Sequence, residues 1–140
     1  MSIERVGVIG AGQMGSGIAH VCSLAGMDVV MEDISAEALE TARATIEKNM
    51  HRQAARGLIK DDQIAPALKR IHTAGGLDAM ADREIVIEAA TEDEAVKRKI
   101  FQDLCPRLNA TAIIATNTSS ISVTRLAAAT DRPEHFIGLH

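Results

Sequence analysis

A glycine-rich segment near the amino terminus, Gly10-Ala11-Gly12-Gln13-Met14-Gly15, carries the strongest chemical signal in the sequence. It follows a short apolar run and precedes a stretch with helical periodicity. Such a turn presents main-chain N–H groups and the positive end of a helix dipole to a diphosphate. The first glycine permits the tight turn, the second lets the diphosphate approach the backbone, and the third lets helix and strand pack closely. Residues 10–15 are therefore predicted to bind a dinucleotide; the alternative is a strand–helix turn without a ligand.

Asp33, at the end of the next apolar run, is predicted to choose between the two nicotinamide cofactors. A carboxylate at this position accepts hydrogen bonds from the ribose hydroxyls and repels a 2′-phosphate. Glu32 adds negative charge beside it, and the following Ile34-Ser35 offers no arginine for that phosphate. We therefore expect NAD rather than NADP. The alternative is that Asp33 only helps to cap the helix that begins near Ser35.

Short apolar runs alternate along the chain with longer stretches of helical period, which is typical of a parallel sheet covered by helices. Strands are predicted at residues 5–9, 28–32, 71–73, 84–89, 112–115 and 136–139. Helices are predicted at about 13–25, from a cap at 35 to a stop at 57, and at 61–70, 94–104 and 122–128. We expect an α/β fold with a doubly wound, Rossmann-type parallel sheet of six main strands, forming one NAD-binding domain over residues 1–140.

The same periodicity predicts which helix faces are buried. The predicted inner faces are Ile18, Val21, Cys22 and Ala25 in the first helix, Leu39, Ala42, Ile46 and Met50 in the second, and Val96, Ile100 and Leu104 in the helix after the fourth strand.

Composition narrows the classes of function. The 140 residues are 46% hydrophobic and 24% charged, with a net charge of −4 and two aromatic residues. This profile fits one globular domain and argues against nucleic-acid binding, which needs basic surface or stacking aromatics. No run approaches the roughly 20 apolar residues of a membrane span. Cys22 and Cys105 match no metal or redox spacing, so we expect no metal site and a reduced, cytoplasmic protein.

Four segments in order resemble the NAD-binding domain of the 3-hydroxyacyl-CoA dehydrogenase family. They are Gly10-Ala-Gly-Gln-Met-Gly-Ser-Gly-Ile-Ala19, Ile87-Glu-Ala-Ala-Thr-Glu92, Asn117-Thr-Ser-Ser120 and Gly138-Leu-His140. The resemblance covers the whole chain, and the family's bacterial 3-hydroxybutyryl-CoA members look especially similar.

The resemblance implies a set of site residues. His140 matches the family's catalytic histidine, and Glu92 matches the acidic residue that pairs with it. Ser119 matches a serine near both the nicotinamide and the substrate, and Asn117 belongs to the same motif. Lys97 matches a lysine that contacts the dinucleotide. We therefore expect catalysis from the histidine, the glutamate and the serine, and cofactor contacts from all of these residues except the histidine.

Acid–base chemistry gives these assignments a physical basis. A histidine that titrates near neutrality can take a hydroxyl proton as hydride leaves the same carbon, and a carboxylate partner fixes its tautomer. Without the resemblance, His140 is an unremarkable terminal residue, Glu92 a first-turn carboxylate, and 117–120 an ordinary helix-capping loop.

A basic stripe on the second helix suggests a phosphate contact. Lys48, Arg52 and Arg56 recur at four-residue intervals in an otherwise acidic chain. The resemblance implies contacts to coenzyme A from Asn49 and Arg56, and arginine suits phosphate well. The alternative is a solvated face that complements the helix C-terminus.

The family implies that the parent enzyme reversibly oxidises an L-3-hydroxyacyl-CoA to the 3-ketoacyl-CoA with NAD, in fatty-acid β-oxidation or short-chain hydroxybutyrate metabolism. It also implies a helical second domain after His140, absent from this chain, that shapes the acyl pocket and forms a homodimer. We expect the chain alone to bind NAD and to turn over poorly. The alternatives are a related NAD-dependent hydroxyacid or L-gulonate dehydrogenase, and a non-catalytic NAD-binding module.

Overall fold

Six short strands form one parallel sheet at the centre of the molecule, in which the computed structural model describes residues 2–118 and 121–139. The strands are β1 (Arg5–Ile9), β2 (Asp28–Glu32), β3 (Ile71–Ala74), β4 (Ile85–Glu88), β5 (Ile113–Asn117) and β6 (Phe136–Leu139). They pair in the order β3-β2-β1-β4-β5-β6. The order reverses between β1 and β4, and a doubly wound sheet binds its ligands at the carboxyl ends of the strands around such a reversal.

Helices cover both faces of this sheet. They are α1 (Gln13–Leu24), α2 (Ala36–Ala55), α3 (Ile64–Lys69), α4 (Glu94–Leu104) and α5 (Val123–Ala127). The first three pack on one another, and α4 packs on α5. The predicted doubly wound α/β fold is confirmed, and the predicted element bounds shift by at most two residues at each end, apart from the start of α3, which lies three residues later than predicted.

The alternation of side chains along each strand builds two apolar cores. In β1, Val6 and Val8 point into the core under α1, α2 and α3, and Ile9 points into the core under α4 and α5. The second core contains both aromatic rings, Phe101 and Phe136, packed edge to face with centroids 5.2 Å apart. Since both faces of the sheet are buried, the strands are largely apolar.

The long helix α2 follows its sequence pattern closely. Ser35 accepts a hydrogen bond from the Ala38 amide at 3.1 Å and so caps the helix. The four predicted inner residues, which recur every three or four positions, are all buried: Leu39, Ala42, Ile46 and Met50.

The inner face predicted for α1 is partly wrong. Val21 is 68% exposed and Ala25 is also exposed. The buried residues are instead small or polar: Gly15, Ser16, Ala19, His20 and Ser23. At Gly15 a side chain would collide with the Gly10 carbonyl, so this part of the inner face requires a small residue that apolar periodicity does not indicate. His20 is buried among these residues, with its Nε2 atom 2.7 Å from Oε1 of Gln53.

The inner face predicted for α4 is shifted by one residue at its start. Val96 is 46% exposed, whereas Lys97 is completely buried together with Phe101 and Leu104. A lysine in the core is invisible to hydrophobic periodicity because it is buried through a charge partner.

The remaining helical segment contains a proline at a position that a helix tolerates. The predicted helix 61–70 divides into a 3₁₀ turn, Asp61–Gln63, followed by α3. Pro66 lies in the first turn of α3, where the missing N–H costs no helical hydrogen bond. Among the described helices, none combines the length and the apolar character needed to cross a membrane.

Candidate functional site

The glycine turn between β1 and α1 has a geometry that other residues would not fit. Gly10 has a φ of +105°, and a Cβ atom there would lie 2.8 Å from the Ala89 carbonyl oxygen. A Cβ atom on Gly15 would lie 1.8 Å from the carbonyl oxygen of Gly10. At Gly12, by contrast, a Cβ atom would meet nothing in the described part of the chain within 4 Å. Gly10 and Gly15 thus allow the turn to pack closely against neighbouring backbone, and Gly12 leaves the outer side of the turn open to a ligand.

The N-terminus of α1 is open at the same place. Gly12 is its N-cap, no side chain caps it, and its first turn contains no acidic residue. Its first N–H groups therefore present partial positive charge that no side chain of the helix itself neutralises. This arrangement fits the diphosphate of a dinucleotide.

Asp33 connects the turn to the end of β2. Its Oδ2 atom accepts a hydrogen bond from the Ala11 amide and its Oδ1 atom one from the Ser35 amide, both at 2.9 Å. Each carboxylate oxygen can accept a further bond, so a ribose can still bind. Asp33 thus supports the backbone before α2, as in the capping alternative, and also faces the glycine turn.

An apolar groove of about 630 Å³ runs from the glycine turn to α4. Gly10, Gly12 and Asp33 line one end of this groove. Its other end is lined by Leu77 and by residues of α4, of which Val96 is half exposed. The groove has the size and the polarity that the adenosine half of a dinucleotide requires.

A buried ion pair lies beneath the loop that follows β4. Lys97 Nζ donates to Oε1 of Glu88 at 2.5 Å, and neither side chain is exposed. Thr116 Oγ1 donates to the same oxygen at 2.7 Å, and the Ala90 amide donates to Oε2 at 2.8 Å. The pair joins β4, β5 and α4, so Lys97, which we predicted to contact the dinucleotide, lies in the core beside Glu88.

The carboxyl ends of β4 and β5 meet at the same edge of the sheet. Thr118 Oγ1 donates to Oε2 of Glu92 at 2.8 Å. Asn117 is the last residue of β5 and lies opposite Leu139, the last residue of β6. The predicted site residues Ser119 and His140 lie outside the described residues. Thr118 was missed by sequence reasoning, although it lies inside the 117–120 motif.

A second groove separates α1 from α2 and begins at the same glycine turn. It has a volume of about 630 Å³ and extends from Ala11 and Gly12 to Asn49. An adjoining depression of about 370 Å³ is lined by Asn49, Arg52 and Arg56. The structure therefore places Asn49 where the two grooves adjoin, with two guanidinium groups beyond it.

Comparison with known proteins gives a consistent set of relatives. Residues 5–140 match the sequence model of a family described as 3-hydroxyacyl-CoA dehydrogenase, NAD binding domain. A 3-hydroxybutyryl-CoA dehydrogenase from Bradyrhizobium diazoefficiens is 57% identical over 138 residues, which are 99% of this chain and 47% of that protein. The 3-hydroxyadipyl-CoA dehydrogenase of Escherichia coli is 39% identical over 140 residues, which are 100% of this chain and 30% of that protein.

Solved structures agree with this set. A crystal structure of (S)-3-hydroxybutyryl-CoA dehydrogenase from Ralstonia eutropha superposes with a TM-score of 0.96 at 43% identity, covering 99% of this chain and 49% of that one. The chain thus spans about half the length of the 3-hydroxybutyryl-CoA dehydrogenases that it matches.

Proposed function

The chain belongs to the 3-hydroxyacyl-CoA dehydrogenase family as its NAD-binding domain, and from this premise we propose that it is the cofactor-binding part of an enzyme that oxidises an L-3-hydroxyacyl-CoA, such as 3-hydroxybutyryl-CoA, to the 3-ketoacyl-CoA. The observation that carries the proposal is the 57% identity with a 3-hydroxybutyryl-CoA dehydrogenase across almost the whole chain. NAD is the cofactor of this domain.

The residues around the glycine turn suit each part of this cofactor. The open amides at the start of α1 would hold the diphosphate, and Asp33 would accept hydrogen bonds from the adenosine ribose. The apolar groove toward α4 would hold the adenine ring. When bound, NAD supplies the acceptor for the hydride that leaves the substrate.

Proton transfer falls to the residues that follow the last three strands. In this proposal His140 takes the hydroxyl proton as general base, and Glu92 pairs with it and fixes its tautomer. Ser119 would contact both nicotinamide and substrate, and Asn117 would contact the cofactor. The Glu88–Lys97 pair would hold the β4–α4 loop that carries Glu92. Lys97, buried beneath that loop, would contribute its positive charge to cofactor binding.

The groove between α1 and α2 supports an acyl-CoA partner. Asn49 and Arg56 border the depression that adjoins this groove, and an arginine there can pair with a phosphate of coenzyme A. The proposal includes a helical second domain after residue 140 that completes the acyl site and forms a homodimer. We also place the enzyme in the cytoplasm, in keeping with two cysteines that form no disulfide.

Substrate profiling of a protein that carries this domain together with its C-terminal part tests the proposal. Reduction of acetoacetyl-CoA with NADH, followed at 340 nm, is expected to be far faster than NAD-dependent oxidation of L-gulonate or free 3-hydroxybutyrate. The 140-residue chain alone is expected to bind NAD and to turn over poorly, and a His140→Gln variant of the longer protein is expected to keep NAD binding and lose turnover. Preference for a free acid would favour the related hydroxyacid or L-gulonate dehydrogenases. NAD binding without turnover of any of these substrates would favour a non-catalytic module, and full activity without His140 would overturn its role as general base.

A further inference from the structure

Glu32, the last residue of β2, has an environment unlike that of any other acidic residue along the groove. Its side chain is 5% exposed and lines the apolar groove that runs toward α4. No hydrogen bond or ion pair joins its carboxylate to another residue within the described ranges. The next residue, Asp33, is only half-buried and has two amide partners.

An unpaired carboxylate in an apolar setting is costly, because burial removes its hydration without replacing it. Burial, together with the negative charge of Asp33, raises the pKa of Glu32 above its ordinary value. Nothing in the packing of β2 requires this charge, since an apolar residue would complete the strand equally well. A hydrogen-bond donor supplied by the ligand of the groove would offset the cost.

The position of Glu32 indicates which donor that is. Successive side chains of a strand point to opposite faces, so Glu32 lies on the face of Val30, toward α4, while Asp33 turns back to the glycine turn. Asp33 is therefore placed for the ribose, and Glu32 lines the groove on the face of Val30, whose apolar cluster has Leu77 and Ile100 packed against it. In the adenosine half of the cofactor, the donor beyond the ribose is the exocyclic amino group of adenine.

We propose that Glu32 is a specificity-determining residue whose carboxylate accepts a hydrogen bond from the adenine amino group and so selects a 6-aminopurine base. This inference rests on the proposed function, because it takes the groove to be the adenosine site of NAD. Lys99 and Asp103 also line the groove, but both are exposed, so neither replaces the missing partner of Glu32. A 6-oxopurine base would place a carbonyl oxygen against the carboxylate and would be disfavoured.

Calorimetric titration of the chain with NAD and with nicotinamide hypoxanthine dinucleotide tests the proposal. The two ligands differ in the group at position 6 of the purine. A hydrogen bond to a charged acceptor corresponds to roughly tenfold to a hundredfold in affinity, so wild type should bind NAD at least about tenfold more tightly. Glu32→Leu should bind the two ligands within about twofold of each other. Glu40→Gln, which removes an exposed carboxylate from α2, is the matched control and should keep the wild-type ratio.

Each outcome decides a different point. Equal ratios in wild type and Glu32→Leu would overturn the role of Glu32 while leaving NAD binding intact. A Glu32→Leu variant that keeps the base preference but accepts NADP would show that Glu32 contacts the ribose, which also overturns the proposal. A folded wild type that binds neither ligand would overturn the proposed function itself. Thermal unfolding should show Glu32→Leu to be at least as stable as wild type, so misfolding does not obscure the comparison.

Discussion

Replacing Lys97 with methionine is expected to destabilise the domain strongly. The substitution keeps the length of the side chain and removes its charge, so the carboxylate of Glu88 loses its cation in a site where neither residue is exposed. Removing one partner of such a buried pair costs about 3–5 kcal/mol of unfolding free energy. The hydrogen bonds from Thr116 and the Ala90 amide remain and set the loss toward the lower end of that range. At this chain length the loss corresponds to a fall in melting temperature of about 10 °C.

Urea unfolding of the isolated chain measures this loss. Arg98→Met is the matched control, because it breaks a partly exposed ion pair with Glu94 on the same helix and should cost at most about 1 kcal/mol. Adding Glu88→Gln to Lys97→Met removes the stranded charge while keeping an acceptor for the Ala90 amide, and the Thr116 hydroxyl can accept from the new NH2 group, so the double variant should recover at least half of the loss. A loss below about 1 kcal/mol for Lys97→Met, or a double variant no more stable than the single one, would refute the assigned role of the pair.

Three further predictions concern the glycine turn and the two carboxylates beside it. Gly15→Ala should lower the free energy of unfolding in urea by about 3 kcal/mol or more, because its Cβ atom would lie 1.8 Å from a carbonyl oxygen. Gly17→Ala, on the same helix but with open space around it, should be neutral or stabilising. Equal effects of the two substitutions would contradict the close packing at Gly15. Asp33→Ala should weaken NAD binding at least about tenfold, as measured by calorimetry, and should reduce the ratio by which NAD binds more tightly than NADP. An unchanged ratio would count against a contact between Asp33 and the ribose. Glu32→Gln should stabilise the ligand-free chain by about 1 kcal/mol at pH 8, because the folded state disfavours the charged form. That gain should fall away as the pH drops through the raised pKa of Glu32 and should vanish below the ordinary glutamate pKa of 4.5, where wild type is protonated in both states. A stability difference that does not change with pH would contradict the cost of burying this charge.

Sequence patterns predicted the sheet and the long helix because their signals are local. Apolar runs, helical period and glycine stops identify β1 to β6, and the spacing from Leu39 to Met50 specifies the inner face of α2 without reference to the rest of the fold. The GxGxxG turn was predictable because its motif is contiguous in sequence, although the contact that excludes a side chain at Gly10 comes from Ala89, which is distant in sequence.

Other features depend on partners that are distant in sequence. Apolar spacing did not predict that Val21 and Val96 are exposed. The inner face of α1 includes the closely packed Gly15, and that of α4 includes Lys97, which is buried by its ion pair with Glu88. The pairing of Lys97 with Glu88 becomes visible only when β4 and α4 are packed together. The isolation of Glu32 has the same origin, because the sequence shows a carboxylate but not whether a donor lies near it.

Isothermal titration calorimetry of the folded 140-residue chain with NAD measures whether the glycine turn and Asp33 form a working cofactor site. We expect saturable heat with one site per chain and markedly weaker binding of NADP, since the open amides of α1 and the carboxylate of Asp33 are both in place. Absence of heat from a chain whose circular dichroism and cooperative unfolding show that it is folded would contradict this expectation.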